Sequence, residues 1–324
     1  MFFTDWEGPW ILTDFAYELT IAIFNNSMFF EKLSKYDDYL AYEVKKEEYE
    51  AGDTLKLLAP FLVAAEVKSE EVKKIAESVA KFVPDSNKAM EFLQQKYKPV
   101  VISTSYTQYL TKTANMIGVK GYLHGTEIDF EKYELSDNDK KEILNAVDRI
   151  GSLNDDELTG FLDEFFWVKL QKTNAGKILN EIKAIGGERK KEIVKSYVEE
   201  FNIERIVAIG DSISDYKMLD WVRKQGGLAV SFNGNEYALK YSNLAVVSNS
   251  AISESLVVDL FIEGGFEKVR EINNELKHYP IEIRQLFLNS NTNLYFLDEV
   301  DYREVLEESM NMRRSLRGQA GELG

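Results

Sequence analysis

The chain has 324 residues, more than one ordinary compact unit needs and enough for a core domain with additions. Hydrophobic residues make up 44% and aromatics 12%, which excludes global disorder, and the absence of cysteine excludes disulfides, thiolate zinc sites and cysteine nucleophiles. A net charge of −16 repels nucleic acid and anionic membranes, so neither is expected as a partner, and an anionic substrate would need positive charge supplied locally.

The chain opens on the apolar run MFFT (1–4), which reads as a buried strand ending at Asp5 and Glu7. Asp5, Glu7, Asp14 and Glu18 interrupt the apolar start, and no basic region precedes it. No secretory signal is read there, and a cytoplasmic location is expected. Residues 9–30 are rich in large apolar side chains but carry two acids, which predicts a buried amphipathic helix and no membrane insertion. LKLLAPFLVAA (55–65) is too short to cross a bilayer and contains Pro60. Residues 16–83 read as helical throughout. The clearest helix carries Val72, Ile75, Ala76, Val79 and Phe82 at helical spacing behind Ser69, a candidate cap.

PVVIS (99–103) is the next strand, ending in the hydroxyls Ser103, Thr104 and Ser105. GYLHGTEI, with His124, is placed on a loop or strand end. Residues 131–185 read as helical. GGERKKEIVK (186–195) opens a helix that continues through Tyr197, Val198 and Phe201, with Lys190 and Lys191 in its first turns. RIVAIG (205–210) is a strand running into Gly210, Asp211 and, four residues on, Asp215. GLAVSF (227–232) and NLAVVS (243–248) are two more strands. The remaining residues, 263–324, read as helices, with His278 on one of them, and a loose tail, RGQAGELG. The two histidines lack metal-ligand spacing and read as structural or surface residues.

Apolar strands alternating with helices predict an α/β fold, a doubly wound parallel sheet with right-handed crossovers. Ligands bind such sheets at the carboxyl ends of the strands. About 95 residues separate the first two strands and about 100 the second from the third, far beyond what a crossover needs, so both gaps hold inserted structure. Asp5 and Glu7 at one strand end and Asp211 and Asp215 at another make an oxygen-rich pocket of the kind Mg²⁺ prefers, with waters and a substrate phosphate completing the shell. The hydroxyls after residue 102 suit phosphate oxygens, and Lys190 or Lys191 is a candidate fixed cation. Each signal also has a plainer reading: acids favoured at a helix start, a Ser-Thr helix cap, surface lysines. Their order along the chain is what joins them.

In that order they closely resemble the haloacid dehalogenase-like (HAD) hydrolase superfamily, and in particular its phosphoserine phosphatase-like phosphatases. Asp5-Trp6-Glu7 stands for the first motif, Ser103 for the second and Lys190 (or Lys191) for the third. Gly210-Asp211-Ser212-Ile213-Ser214-Asp215 stands for the last. FVPDSNKAMEFLQQ (82–95) and GLAVSFNGNEYALKYSNLAVVS (227–248) are similar to the family's Pro-started helix and its closing strand-helix-strand. The resemblance implies a HAD-like Rossmannoid core at 1–15, 84–130 and 186–262, a helical cap at 16–83, a helical insertion at 131–185 and a C-terminal helical extension at 263–324. It implies Asp5 as a nucleophile that forms an aspartyl-phosphate and Glu7 as general acid/base. It further implies Asp5, Glu7 (through its carbonyl), Asp211 and Asp215 around Mg²⁺, with Ser103, Thr104 and Lys190 holding the phosphoryl group.

The expected activity is therefore Mg²⁺-dependent hydrolysis of a small phosphorylated metabolite. Two departures stand out: Glu7 is one methylene longer than the family's Asp, and Pro9 stands where Thr or Val is usual. They motivate a rival from another class, a catalytically weak HAD-fold protein serving as a binding or scaffold subunit with a protein partner. Phosphotransfer and carbon–halogen cleavage are further HAD chemistries. The aromatics of MFFEKLSKYDDYLAYEV (28–44) are expected to pack inward as cap core, with an apolar lining for the substrate as the other reading.

Overall fold

Large apolar residues in unbroken runs give strands buried on both faces, with successive side chains pointing to opposite sides. In the computed structural model, which describes residues 1–46, 49–50 and 52–318, seven strands form one sheet among those residues. They are β1 (Phe2–Thr4), β2 (Pro99–Tyr106), β3 (Tyr122–Thr126), β4 (Val207–Gly210), β5 (Leu228–Phe232), β6 (Leu244–Ser248) and β7 (Thr292–Phe296). Their order is β3-β2-β1-β4-β5-β6-β7, parallel except for β7, which runs antiparallel to β6. β1 is central, with Phe3 registered against Val100 on one side and Ala208 on the other. Phe3, Val100, Ile102, Ala208 and Ala229 face one layer, under the helices Gly187–Phe201 and Tyr216–Lys224. Phe2, Val101, Val207, Ile209 and Val230 face the opposite layer, where the helices Ser86–Gln94 and Ala251–Gly264 lie. The doubly wound α/β sheet expected from the sequence is the observed architecture.

Between β1 and β2 lie the helices Phe15–Phe24, Ser27–Asp38, Thr54–Ala64 and Ser69–Val79; between β3 and β4 lie Asp137–Ser152, Asp155–Glu164 and Asn174–Glu181. The two insertions pack together. Ser27–Asp38 contacts Asp137–Ser152 and Asp155–Glu164, and Thr54–Ala64 contacts Asp137–Ser152 and Asn174–Glu181. Their common interior is aromatic. Phe61 meets Phe29 edge-on at 4.7 Å between ring centroids and Phe165 at 5.6 Å, and Tyr36 donates to Asp163 (2.5 Å) while accepting from Trp167 Nε1 (2.8 Å). No helix among the described residues is long and apolar enough to cross a membrane.

Four expectations need correction. The helix expected over 9–30 is two helices, starting only at Phe15 and broken at Asn25, whose left-handed φ of 50° ends the first while the Asn26 side chain caps the second. Ser69 does not cap its helix: Lys68 holds the cap position, and Ser69 is tied through its N–H and Oγ to Glu131. The segment around His124 is the full strand β3, with His124 half-buried against Tyr197 (Nε2 to OH, 3.0 Å). The C-terminal region is not all helical, because Thr292–Phe296 pairs with β6 as an antiparallel edge. The tail RGQAGELG lies largely outside the described residues.

Candidate active site

Three parallel strands deliver the site. β1 ends at Thr4, so Asp5 stands just past its carboxyl end, its N–H donating to Ile209 O of β4 (2.9 Å). β4 ends at Gly210, and Asp211 follows. The chain then turns through the short helix Ile213–Asp215. Asp215 folds back so that its Oδ2 accepts from the backbone N–H groups of Asp211 (3.0 Å) and Ser212 (3.1 Å). Only glycine permits that return at position 210, since a Cβ there would lie 2.5 Å from Asp215 Cβ. Gly8 is required for a similar reason: with φ of +98° it lies so close to Asp211 that a Cβ would stand 2.2 Å from the carboxylate carbon.

Asp5, Asp211 and Asp215 are all buried, and each offers an oxygen within 4.8 Å of the others. Lys190, fully buried on the helix Gly187–Phe201, binds them together: its Nζ contacts Asp5 Oδ1 at 3.0 Å, Asp215 Oδ1 at 2.7 Å and Ser214 Oγ at 3.1 Å. Lys191 lies on the helix surface, paired with Glu188 and Glu192. Of the two lysines that the sequence offers, Lys190 is the one that lies among the carboxylates. Burial works against the Lys190 charge, but Asp215 and Asp5 outweigh it and hold the ammonium above its ordinary pKa. Burial and the Asp215 charge push the Asp5 carboxyl well up, with Lys190 opposing them.

Glu7 is half-buried and is not part of the trio of carboxylates. Its Oε1 accepts from the Ser105 hydroxyl and from the Phe15 N–H (3.4 Å), and burial together with the Asp14 charge pushes its carboxyl up to about 8. Ser103 is buried beside the trio, its Oγ accepting from Ser105 N–H (3.1 Å). Thr104 lines the cleft but spends its hydroxyl on Ile185 O (2.9 Å). These residues surround a cleft of about 140 Å³ that inserted-helix residues Phe30, Ser34, Asp37, Asp38, Thr54 and Leu55 close from above. Of the aromatics in 28–44, Phe29 and Tyr36 pack inward, while Phe30, though buried, reaches the cleft.

Sequence reading missed three charged groups. Arg313 and Arg317, on the helix Tyr302–Arg317, both contact Asp211 Oδ2, Arg317 at 3.0 Å; Arg313 also donates to Asp211 O at 3.2 Å. Glu254 is fully buried on the helix Ala251–Gly264, with neither carboxylate oxygen hydrogen-bonded, and burial and the Asp211 charge push its carboxyl far up. The arginines sit in a run of charged residues that reads as a solvated helix, so only the fold reveals their target. The donor set is all carboxylate, buried and close-spaced, and so fits a hard divalent cation such as Mg²⁺.

No family model matches the chain, and no curated protein matches it. Among solved structures, the gene product AF1437 from Archaeoglobus fulgidus is 51% identical, with 100% of this chain and 98% of that chain covered and a TM-score of 0.90. A phospho-aspartyl intermediate analogue of phosphoserine phosphatase is 15% identical over 75% of this chain and 91% of its own, with a TM-score of 0.46. A HAD family hydrolase from Salmonella enterica serovar Typhi is 11% identical over 72% and 62%, with a TM-score of 0.45. With 51% identity sustained along its whole length, this chain belongs to the family of the Archaeoglobus fulgidus gene product AF1437.

Proposed function

We propose that the protein is a Mg²⁺-dependent phosphatase of small phosphorylated metabolites. One observation carries the reading: Asp5, Lys190, Asp211 and Asp215 come from segments up to about 200 residues apart, yet meet at the carboxyl edge of neighbouring strands β1 and β4. Asp5 Oδ attacks phosphorus, the P–O ester bond breaks, and Glu7 gives its proton to the leaving oxygen. A carboxyl raised to about 8 holds that proton near neutral pH. Glu7 then takes a proton from the water that attacks the aspartyl-phosphate and frees phosphate. Lys190 offsets charge on the phosphoryl oxygens and opposes the burial and the Asp215 charge that push the Asp5 carboxyl up. Ser103 and the backbone around it face the same oxygens. Asp5, Asp211 and Asp215, with the Glu7 carbonyl, are the residues that would hold Mg²⁺, which supplies further charge neutralisation on the transferring group. The inserted helices act as the cap that excludes water and selects the substrate.

The test is phosphate release from a panel of metabolite phosphates and a generic aryl phosphate, with and without Mg²⁺. Release that needs Mg²⁺ and vanishes in Asp5→Asn is the expected result. Full turnover in Asp5→Asn overturns the nucleophile assignment. A second reading, a catalytically weak HAD-fold subunit that binds a partner protein, is favoured by the two guanidinium groups already on Asp211. It predicts no turnover across the whole panel.

A further inference from the structure

Three cations already contact the trio of carboxylates, while Glu7 and Asp14 line the same cleft. Asp5, Asp211 and Asp215 face Lys190, Arg313 and Arg317, three acids against three cations, in direct contact. Lys190 serves Asp5 and Asp215, whereas both arginines serve Asp211 through a single oxygen, Oδ2. Arg313 and Arg317 are four residues apart on the helix Tyr302–Arg317, so they project from one face. Arg313 is buried, the Arg317 side chain is largely covered, and Arg317 is fixed further by its Nε bond to Leu12 O (3.2 Å).

The first turns of this helix are held elsewhere. The Tyr302 hydroxyl donates to Glu236 O (2.8 Å), Ser309 Oγ donates to Gly234 O (2.7 Å), and Val305 packs on Leu239 and Ala245. The helix is thus anchored to the β5–β6 side by its first half and reaches Asp211 with its last turns.

We propose that Arg313 and Arg317 are positioning residues that hold Asp211 in place of a divalent cation, so that cation binding and docking of the last turns of helix Tyr302–Arg317 oppose one another. The proposal rests on the reading of Asp211 as a metal ligand. A divalent cation at Asp211 must take an oxygen that two guanidinium groups occupy, and it meets their like charge in a buried setting where water screens poorly. Entry of the ion therefore favours release of residues 311–317, while residues 302–309 stay docked. The site then accepts a cation only as the arginines withdraw, which makes the C-terminal helix the element that sets its metal affinity.

The test uses the full chain and Mg²⁺ alone, followed by titration calorimetry and by hydrogen–deuterium exchange. Exchange at residues 311–317 is expected to rise on adding Mg²⁺, with 302–309 unchanged. Arg317→Gln is expected to bind Mg²⁺ about tenfold more tightly than wild type, and Arg317→Lys to fall between them. Mg²⁺ binding that leaves exchange at 311–317 unchanged, or equal affinity in wild type and Arg317→Gln, overturns the competition while leaving the metal site standing. Failure of all three proteins to bind Mg²⁺ overturns the metal reading and the competition together. The exchange measurement on wild type decides the matter even where a variant folds poorly.

Discussion

Glu7 shows how one side chain's surroundings set its chemistry. Burial and Asp14 push its carboxyl up to about 8, and the Ser105 hydroxyl and Arg317 only partly oppose them. As an acid it loses its proton above that value, so turnover is expected to fall on the alkaline side with a midpoint near pH 8. The same shift bears on stability. The folded-state value lies above the ordinary 4.5, so the protonated carboxyl is the favoured native form. Its contribution is complete below the unfolded value and is lost as pH rises through about 8, at up to about 1.4 kcal/mol per pH unit crossed. Glu7→Gln should therefore lose less stability than wild type between pH 5 and about 9 in thermal denaturation. Lys190 is a second residue whose role is set by contact. Lys190→Met leaves Asp5 and Asp215 buried without their shared cation and is expected to cost about 3–5 kcal/mol, read by denaturant unfolding. Gly8→Ala combines a left-handed backbone with a clash against Asp211. It should destabilise by at least about 1–2 kcal/mol and lower Mg²⁺ affinity as Asp211 shifts.

At the scale of elements, the loop before Thr54 ties the inserted helices to the sheet domain. Glu50 Oε2 accepts from the Glu188 N–H (2.7 Å) at the start of the helix bearing Lys190, and Glu50 Oε1 pairs with Lys217 (3.1 Å). Glu50→Ala removes a carboxylate from that helix start and is expected to cost about 1 kcal/mol, with faster hydrogen exchange across residues 187–191. The sequence made β1, β2, β4, β5 and β6 legible because each is a run of buried apolar residues bounded by turn formers. β3 was harder to see because YLHGT is half-buried over most of its length and carries a histidine and a glycine. β7 was missed because TNLYF is a partly exposed edge strand with polar ends. The same contrast governs the site. Asp5 and Asp211 each follow a strand directly, Ser103 lies within β2 just past its apolar run, and Asp215 stands four residues beyond Asp211, so local pattern locates them. Arg313, Arg317 and Glu254 act at a distance from any strand end, on helices whose own sequences carry no sign of Asp211.

For the whole molecule, the two insertions form one helical layer with a shared aromatic interior, although residues 84–130 separate them in sequence. Phe61 sits at the centre of that interior, fully buried against Phe29, Phe165 and Phe166. Phe61→Ala is expected to cost about 3–5 kcal/mol and to lower exchange protection in both insertions together. Loss confined to residues 27–64 would show that the two pack as separate bodies. The bond from Arg317 Nε to Leu12 O spans 305 positions along the chain. Synthesis runs from the amino end, so β1, β2 and β4 are available to assemble long before residue 317 leaves the ribosome. A nascent chain at that stage carries Asp211 without its two guanidinium partners. On the proposed competition, a cation that the growing polypeptide meets first has uncontested access to that carboxylate, and the later-translated helix Tyr302–Arg317 must then displace it or remain undocked.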